Sequence, residues 1–472
     1  GKDYIQVKQR DSSIHATERE GGSVGGVSKD FTVSAQETTF TSRNLPAIRQ
    51  DEPYCWCPED YKVQVSFDLQ GTQFTPNEYK PYSQKWEDVD KQLLKPENTQ
   101  FGEHLSLTNP FRPETKQAYN SEMNFEEKII CAFQVLKKKM AWNGRYQLYS
   151  KELEKVIKKG SGSNADLNFI LISILKDFGL EAYPVVMSRR SSGMLPYNFP
   201  SLQKLKTFFV AIHDINKQKY VFLDSSMDVP AFNILPLELS VNKARMLSLK
   251  EKEEKKWVNV MALSHNKSFM KIDARIEGNQ VKGHRSTVLY GQEAIEYQAN
   301  ENHKQDNLVS NPENKVSQKE KLTVTNLKVK KQENDWALIE EEFDFVLQAD
   351  RTDDHLYINP MLFPQLKSNP FIQTERVLPI EFPYPYKFTM LSTLTLPEGY
   401  EVEELPQSQS IRSEGDGLQC KYMIQQQGNT ILLNYVFHLK GYIFLSEQYK
   451  QLQELWAKVI EKNNALIVLK KI

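Results

Sequence analysis

Polar side chains able to take part in nucleophilic chemistry lie in one stretch of the chain. Ser163 and Asp166 belong to the segment GSGSNAD, and Asp224 ends the segment KYVFLD. A hydroxyl becomes a nucleophile when a base within about 3 Å accepts its proton, and a carboxylate can hold such a base in place. Arg189 and Arg190 could bind an anionic partner, although adjacent arginines more commonly make weak ion pairs in a solvated loop. Residue types alone leave the nucleophile and the base open.

The residues around these side chains predict the elements that hold them. Gly160 and Gly162 allow a tight turn, and Ser163 or Asn164 can cap a helix by accepting a hydrogen bond from a first-turn N–H. An apolar run at helical spacing then predicts a buried helix ending at Gly179, a residue suited to left-handed backbone. The apolar positions are Leu167, Ile170, Leu171, Ile174 and Leu175. Three strand-like runs follow, at 182–187, 207–213 and 220–224.

This layout resembles the transglutaminase-like domain, a relative of papain-type cysteine hydrolases. The family pattern is roughly G-x-C-x-D-x-A at the buried helix, F-N-H at the second strand and L-D-A/S at the third. Matching Asp166 and its apolar run places Asn164 at the cysteine position, and matching LKTFFVAI places Thr207 at the histidine position. Asp224, in VFLDSS, still matches the third member of the triad.

The resemblance therefore implies an intact scaffold that lacks two of its three catalytic side chains. A thiolate at a helix N-terminus is stabilised by the helix dipole and by a neighbouring imidazolium, whereas an asparagine amide has no proton to lose near neutral pH. A threonine hydroxyl does not accept a proton usefully at pH 7, and an aspartate alone can only orient a base that is missing. The vestigial triad positions are Asn164, Thr207 and Asp224. The residues expected to line the cleft are Ser163, Asp166, Arg189 and Arg190.

Alternatives to this interpretation stay open. A one-residue shift of the alignment would make Ser163 the nucleophile of an enzyme with a nonstandard constellation, but no histidine falls at a matching position. Thr207 and His213 share one face of a strand, yet six residues of strand span about 20 Å, far beyond hydrogen-bond reach. We interpret His213 as a surface residue at a strand end. Asn164 can also be a plain helix cap, which is compatible with loss of catalysis.

The composition of the whole chain limits its possible functions. A net charge of −1 over 472 residues offers no basic field for nucleic acid, and no run of about 18 apolar residues predicts a membrane span. Four cysteines do not make a disulfide framework, and Cys55 and Cys57 lack a second pair or a nearby histidine for a zinc site. No Walker A, H-E-x-x-H or glycine-rich dinucleotide motif occurs. We expect neither a cofactor nor a metal ion.

The segments on either side of the central stretch predict β-rich regions. Residues 1–45 indicate only short strands and loops, whereas the apolar alternation from Val63 to Leu69 predicts a half-buried strand. The run KEKEEKK at 250–256 is typical of a solvated linker or exposed helix end, and we place a domain boundary there. Beyond it, repeated strand patterns and hairpin-turn signals predict a β-sandwich with a late helix.

Several flanking segments resemble a Bacteroidetes-type protein family in which domains of unknown function flank a transglutaminase-like core. NLPAIRQDEPY and DYKVQVSF resemble the end of its N-terminal β-sandwich, and LYINPMLF and FPYPYKF resemble its C-terminal domain. The resemblance implies an α+β fold: a β-rich region at 1–78 that is the last part of a longer sandwich, a transglutaminase-like core at 79–249, and an antiparallel β-sandwich at 250–472.

The function expected from this resemblance is that of a catalytically inactive scaffold at the cell envelope. Its partner would be a protein, a peptide or a glycan, and not a nucleic acid. The chain begins at Gly1 without a leading signal segment, so a periplasmic or cell-surface location rests on the resemblance alone. The alternative function is that of a peptidase or amidase with the same fold and a nonstandard nucleophile.

Overall fold

The computed structural model describes residues 5–20, 27–45, 47–65, 67, 71–73, 79–81, 85–97, 99–198, 200–263, 265–306, 322–332 and 335–472. The chain divides into two compact units, Gly1–Glu52 with Pro58–Tyr82 and Pro53–Cys57 with Ser83–Ile472. The second unit combines helices with several β-sheets, which confirms the predicted α+β class. The finer division of the chain at residues 78 and 249 stays a prediction.

The first unit contains a long two-stranded ribbon. The strands of the first unit are β1 (Ile5–Glu20), β2 (Val27–Ser42), β3 (Gly71–Gln73) and β4 (Tyr79–Pro81). The ribbon consists of β1 and β2. β1 and β2 pair antiparallel along their whole length, from Ile5 opposite Ser42 to Glu20 opposite Val27. The prediction of short strands here was wrong, because backbone pairing between the two strands, and not apolar alternation, defines the ribbon.

The prediction of a strand from Val63 to Leu69 was also wrong for the described residues of this segment. Residues 63–65 and 67 have no regular secondary structure, and residues 66, 68 and 69 lie outside the described part of the chain. An alternating pattern makes a strand only when a partner supplies the ladder of hydrogen bonds. None of the described strands pairs with residues 63–65 or 67.

A group of helices opens the second unit and surrounds one central helix. The helices and two short strands are α1 (Trp86–Leu94), α2 (Gln100–Leu105), α3 (Arg112–Ala118), α4 (Phe125–Lys139), β5 (Ala141–Trp142), α5 (Leu153–Lys159), β6 (Ser161–Gly162) and α6 (Asn164–Asp177). Every residue of α6 from Asn164 to Leu175 is buried, as expected for a helix that is apolar on nearly all sides. α6 packs against α2, α3 and α4.

A five-stranded antiparallel sheet lies against α6. Its strands are β7 (Glu181–Met187), β8 (Thr207–Asp214), β9 (Lys219–Leu223), β10 (Ala244–Met246) and β11 (Trp257–Val258). A short helix, α7 (Glu253–Lys256), lies between β10 and β11 along the chain. The strand order is β11-β10-β7-β8-β9. The predicted helix and its three following strands are confirmed to within a few residues. Gly179 follows α6 with a φ of 73°, the predicted left-handed conformation.

The C-terminal part of the second unit is dominated by strands. Its elements are β12 (Asn266–Glu277), β13 (Gln280–Tyr290), α8 (Gln292–Asp306), β14 (Leu322–Gln332), β15 (Asp335–Gln348), β16 (Asp350–Thr352), β17 (His355–Ile358), β18 (Ile380–Glu381), β19 (Tyr386–Thr395), β20 (Tyr400–Glu404), β21 (Gln409–Arg412), β22 (Leu418–Gln427), β23 (Thr430–Leu439), β24 (Ile443–Phe444), α9 (Tyr449–Asn463) and β25 (Ile467–Lys471). The late helix is therefore confirmed as α9.

Two sheets and α9 share one apolar core in this region. An eight-stranded sheet has the order β14-β15-β13-β12-β19-β23-β22-β21, and a four-stranded sheet has the order β16-β17-β25-β20. Trp456 of α9 and Leu469 of β25 belong to the same buried cluster as Met390 of β19. The larger sheet is not wholly antiparallel as expected, because β12 and β19 run parallel, with Asn266 opposite Tyr386. No helix in the described part of the chain is long and apolar enough to span a membrane.

The charged run at 250–256 is not a solvated linker throughout, so that part of the prediction was wrong. Arg245 and Asp90 are wholly buried, and Lys256 is only 7% exposed. Arg245 Nε donates to Asp90 Oδ1 at 2.7 Å, and Lys256 Nζ donates to Asp90 Oδ2 at 2.9 Å. Glu253 adds a second carboxylate to Arg245, at 2.6 Å. The sequence hides this cluster because Asp90 lies far from the charged run along the chain.

Replacing Asp90 with alanine should strongly destabilise the second unit. Asp90→Ala leaves one side of the buried Arg245 guanidinium without a carboxylate and leaves Lys256 with Glu253, at 3.8 Å, which typically costs about 3–5 kcal/mol. Urea denaturation followed by tryptophan fluorescence measures this loss, because the Arg245 guanidinium packs on the rings of Trp86 and Trp257. Lys255→Ala, at an exposed position in the same short helix, should change the free energy of unfolding by less than about 0.5 kcal/mol. Equal effects of the two changes would contradict this account.

Candidate functional site

The N-terminus of α6 begins with a capping box. Ser163 precedes the helix, and its Oγ accepts a hydrogen bond from Asp166 N at 3.3 Å. Asp166 Oδ2 accepts from Ser163 N and from Ser163 Oγ, both at 2.7 Å. Of the two caps that the sequence allowed, the structure uses Ser163, and Asn164 is the first residue inside the helix. The Ser163 hydroxyl is therefore engaged in holding the helix end.

Gly162 is required at this position because the backbone comes close to two side chains. A Cβ on Gly162 would lie 2.5 Å from Val156 Cγ1 and 2.8 Å from Asp166 Cβ. Both distances are shorter than carbon atoms tolerate, so any larger residue would push the capping box apart. The GSGS turn is thus fixed by close packing before α6 begins.

Asn164 brings the three expected triad positions into contact. Its Nδ2 donates to Thr207 Oγ1 at 2.7 Å and to Phe208 O at 3.1 Å, and it lies 3.3 Å from Asp224 Oδ2. Its Oδ1 accepts from Gln147 N at 3.1 Å. Asn164, Thr207 and Asp224 are all wholly buried. The start of β8, the end of β9 and the first turn of α6 therefore meet at one amide group.

Asn168 completes this cluster and was not predicted from the sequence. It lies one turn after Asn164, and its Nδ2 donates to Asp224 Oδ2 at 2.9 Å and to Phe208 O at 2.8 Å. Its Oδ1 accepts from Ser225 N at 3.0 Å and from Ser225 Oγ at 2.6 Å. The available signal was the four-residue spacing of two asparagines in an otherwise apolar helix, which places both on one face.

The Asp224 carboxylate is satisfied from two sides. Oδ2 accepts from Asn168 and Asn164, and Oδ1 accepts from Ser226 N at 2.9 Å and from the Ser226 hydroxyl. Burial raises the pKa of Asp224 above its usual value, and the hydrogen bonds from Ser226, Asn168 and Asn164 oppose that rise. Among the described residues, neither a cysteine nor a histidine is a hydrogen-bond partner of Asn164, Thr207 or Asp224.

The charge of Asp224 affects the pKa of two further side chains, Lys137 and Tyr146. Lys137 Nζ donates to Ser225 O at 3.2 Å. Burial lowers the pKa of Lys137, and the carboxylates of Asp228 and Asp224 oppose that shift. The Tyr146 hydroxyl lies 3.4 Å from Ser226 Oγ, and burial together with the nearby Asp224 charge raises the pKa of Tyr146. The charge of Asp224 thus acts on the pKa of one lysine and one tyrosine.

His104 lies near the other acidic residue of the site, which sequence reasoning did not foresee. Burial lowers the pKa of His104, while the charges of Glu103 and Asp166 act in the opposite direction. The His104 ring packs on Phe169, at 5.2 Å between ring centroids. No spacing along the chain linked α2 to the capping box. His213, in contrast, stacks on Tyr220 at 4.8 Å and lies 3.6 Å from Glu181, at the opposite end of β8 from Thr207.

Arg189 and Arg190, the two arginines expected to line the cleft, have different contacts. Arg189 Nε lies 3.8 Å from Glu238 Oε1, and the charge of Arg189 acts on the pKa of Tyr146. Arg190 is buried and donates to Pro383 O at 3.0 Å, and its guanidinium lies 4.0 Å from the centre of the Trp56 ring. Arg190 therefore joins segments of the second unit instead of lying in a solvated loop, because its planar cation stacks on an aromatic ring.

The described residues contain no group of three or more histidine, cysteine, aspartate or glutamate side chains placed to hold a metal ion. The cluster around Asp224 instead consists of one carboxylate, two amides and three hydroxyls, each with a hydrogen-bond partner. Such an arrangement can hold α6 and the strand ends in a fixed relation. Among its side chains there is neither a thiol nor an imidazole.

Comparison with known proteins finds a family model that matches one part of the chain. Residues 354–469, from the start of β17 into β25, match the family described as "Domain of Unknown Function with solved-structure structure (DUF3858)". This match agrees with the expected C-terminal domain of unknown function. No curated protein matches the chain. A crystal structure described as that of a "putative protease" from Parabacteroides distasonis is similar with a TM-score of 0.48 and 11% identity, over 99% of this chain and 71% of that one. At that level of likeness, nothing about the activity of this chain follows.

Removing the Asn168 side chain should destabilise the second unit. Asn168→Ala takes one donor from a buried carboxylate and leaves Phe208 O and the Ser225 groups with fewer partners, a loss of about 2–4 kcal/mol. Ser173→Ala is a matched control in the same helix, because Ser173 Oγ bonds only to Ile170 O within its own turn. The control should lose less than about 1 kcal/mol. Urea denaturation of both variants compares them, and a smaller loss for Asn168→Ala than for the control would refute its structural role.

The buried carboxyl group also predicts a pH dependence of stability. The folded-state pKa of Asp224 is above its usual value of 3.8, so a proton bound to Asp224 stabilises the folded state. This contribution is complete below pH 3.8. It is lost as the pH rises through the folded-state pKa. The free energy of unfolding of the native chain should therefore fall relative to that of Asp224→Asn as the pH rises from about 4 towards neutrality. Urea denaturation of both proteins over this range measures the difference, and a difference independent of pH would contradict the expectation.

Proposed function

We propose that this chain is a non-catalytic protein with a transglutaminase-like core that acts as a binding scaffold. One observation carries the proposal: the Asn164 amide occupies the centre of a closed hydrogen-bond network with Thr207 and Asp224, at the expected positions of the triad. Three residues from distant parts of the sequence come together there, which supports the proposal. The network that joins them is one of structural hydrogen bonds.

The chemistry of these side chains supports the absence of catalysis. Acyl transfer by this type of fold needs an attacking atom that carries negative charge and a base that accepts its proton. The Asn164 amide and the Thr207 hydroxyl meet neither need at neutral pH. Asp224 is directed at amide and hydroxyl donors, so it has no imidazole to orient.

Burial of the site supports the same conclusion. A substrate carbonyl must come within about 3–3.5 Å of the attacking atom. Asn164, Thr207 and Asp224 expose no surface, and Ser163 is 1% exposed. The segment before α5 covers the helix N-terminus, because Asn164 N donates to Arg145 O at 3.0 Å and Gln147 N donates to Asn164 Oδ1.

The alternative enzyme would use Ser163, whose hydroxyl donates to Asp166; the charge of Asp166 also acts on the pKa of His104. Ser163 Oγ donates to the same Asp166 oxygen that accepts from Ser163 N, which is the arrangement of a helix cap. An attack by this hydroxyl would break the cap and need an opening of the buried turn. The scaffold proposal needs no such rearrangement.

The proposed partner is a protein, peptide or glycan of the cell envelope, and the proposed location is the periplasm or the cell surface. Both parts of the proposal are supported by the resemblance of the flanking segments. A fold can persist as a binding module after its nucleophile is lost, because binding and catalysis depend on different groups. Fractionation of the native cell tests the location.

Active-site labelling tests the absence of catalysis. The native chain should show no modification of Ser163 by a fluorophosphonate, and no accelerated alkylation of any cysteine by iodoacetamide at pH 6.5, when modified peptides are measured by mass spectrometry. Cys131, whose pKa burial raises, is an internal reference for an unactivated thiol. Stoichiometric modification of Ser163 would overturn the proposal and favour the alternative enzyme.

Substitution at the vestigial positions supplies the matched comparison. Asn164→Cys alone should give no turnover of a peptide ester, because Thr207 still cannot accept a proton. The double change Asn164→Cys with Thr207→His supplies both missing groups beside Asp224, so any turnover should arise only there. Activity in the single variant would show that the base has been assigned to the wrong position.

A further inference from the structure

The C-terminal part of the second unit contains a cavity that the proposed function does not use. It has a volume of about 290 Å³ and lies among β19, β23, α9 and the segment that precedes β19. A cavity of about 150 Å³ with apolar walls is large enough to bind benzene, so this one can hold a ring with a short substituent. Ligand sites in proteins are commonly apolar cavities of this kind with a few polar groups at one side.

Aromatic rings form most of the cavity wall. Phe382 and Trp456 stack with 5.7 Å between their centroids, and Phe437 meets Trp456 edge-on at 5.6 Å. Tyr384 and Tyr386 also line the cavity. Aromatic faces attract cations as well as apolar groups, because the ring faces carry partial negative charge.

Three polar atoms in residues of the wall are left without partners. Asn463 Oδ1, Trp456 Nε1 and the Tyr435 hydroxyl are buried and have no hydrogen-bond partner among the described residues. All three residues line the cavity and are less than 5% exposed. Buried polar atoms are nearly always paired with protein, water or a ligand, so their state indicates that the cavity is built to be occupied. Because they are an acceptor, a donor and a hydroxyl that can do either, they do not select the charge of the occupant.

Two carboxyl groups on α8 do select that charge. The Tyr384 hydroxyl donates to Glu293 Oε1 at 3.1 Å and also lies 3.4 Å from Glu296 Oε1. Glu293 lines the cavity, and both glutamates are half-buried. No cationic side chain in the described part of the chain forms an ion pair with either of them. Burial raises the pKa of each carboxyl group, and the charge of Glu296 adds to the rise at Glu293. A cation at this position would supply the missing opposite charge.

We propose that this cavity binds an organic cation, a primary ammonium group attached to an apolar body about the size of one aromatic ring. The ring lies among Phe382, Phe437 and Trp456, and the ammonium group lies at Glu293, beside Tyr384. Its source is either a free aromatic amine or the N-terminal aromatic residue of a peptide. The inference does not depend on the state of the Asn164 cluster, so the two proposals can fail separately.

Isothermal titration calorimetry on the full chain tests the proposal with a matched pair of probes. 2-Phenylethylamine and 2-phenylethanol have the same ring and chain and differ in the charge of the head group. The amine should bind at least tenfold more tightly at pH 7. Equal affinities, or no binding of the amine at millimolar concentration, would overturn the proposal. Phenylalanyl-glycinamide distinguishes the sources, because affinity equal to or above that of 2-phenylethylamine indicates a peptide N-terminus and weaker binding indicates a free amine.

Variants locate the charge that selects the amine. Glu293→Gln should reduce amine affinity at least tenfold and leave 2-phenylethanol unchanged, since the two side chains have nearly the same shape. Glu461→Gln, at an exposed position on α9, is the matched control and should change neither affinity. Loss of amine binding in the control, or its retention in Glu293→Gln, would contradict the assignment.

The native chain supplies a second measurement that needs no variant. The ionisable groups at this end of the cavity are Glu293, Glu296, Tyr384 and Tyr386. A bound ammonium group favours the ionised carboxylates, so amine affinity should rise as the pH increases through the titration of the two glutamates, with release of protons. Calorimetry in buffers of different ionisation enthalpy measures that release. Affinity that is independent of pH and buffer would overturn the proposal.

Discussion

The Asp224 carboxylate is wholly withdrawn from water, and this constraint organises the centre of the second unit. A buried charge is tolerated only when donors replace the lost hydration. Asn164 and Asn168 supply donors from α6, and Ser226 supplies two from the chain just beyond β9. Because Phe208 O accepts from both asparagines, the start of β8 is fixed by the same network. The mutual placement of helix and strands therefore follows from the needs of one carboxylate.

The same placement fixes the Asn164 amide between several neighbours. An amide at Asn164 can donate to Thr207 and Phe208 and accept from Gln147 at once. A group that serves several neighbours in this way is well suited to a structural role and poorly suited to attack a substrate, since catalysis would break its bonds. The adjacent capping box of Ser163 and Asp166 likewise consists of side chains that bond to one another and to the backbone.

Two other buried or half-buried carboxylates have different partners: Asp90, where α1 meets the central sheet, and Glu293, in the C-terminal region. Asp90 is compensated by two cations, Arg245 and Lys256, so the cluster contains its own opposite charges. Burial alone would lower the pKa of Arg245, but the carboxylates of Glu253 and Asp90 outweigh burial and raise it. Glu293, beside the aromatic cavity, has a phenol as its partner and no cation among the described residues. That difference is the reason a cationic ligand suits the cavity and a structural role suits Asp90.

Local patterns predicted the central elements well. The apolar spacing from Leu167 to Leu175, the cap at Ser163 and the glycine at Gly179 defined α6, because each depends on residues within one or two turns. Hydrophobic alternation failed where long-range pairing decided the outcome, as in the 16-residue ribbon of β1 and β2 and in the parallel pairing of β12 with β19. The meeting of Asn164, Thr207 and Asp224 could be anticipated only through the family resemblance.

The sequence by itself determined which side chains lie at the helix start and the strand ends. It therefore determined that positions 164 and 207 have neither a thiol nor an imidazole. Only the tertiary structure decided that Asn168 completes the cluster, that Lys256 of a charged run is buried against Asp90, and that Arg190 stacks on Trp56. The physical reason is distance along the chain: periodicity and capping act between near neighbours, whereas compensation of buried charge joins residues whose separation in sequence carries no signal.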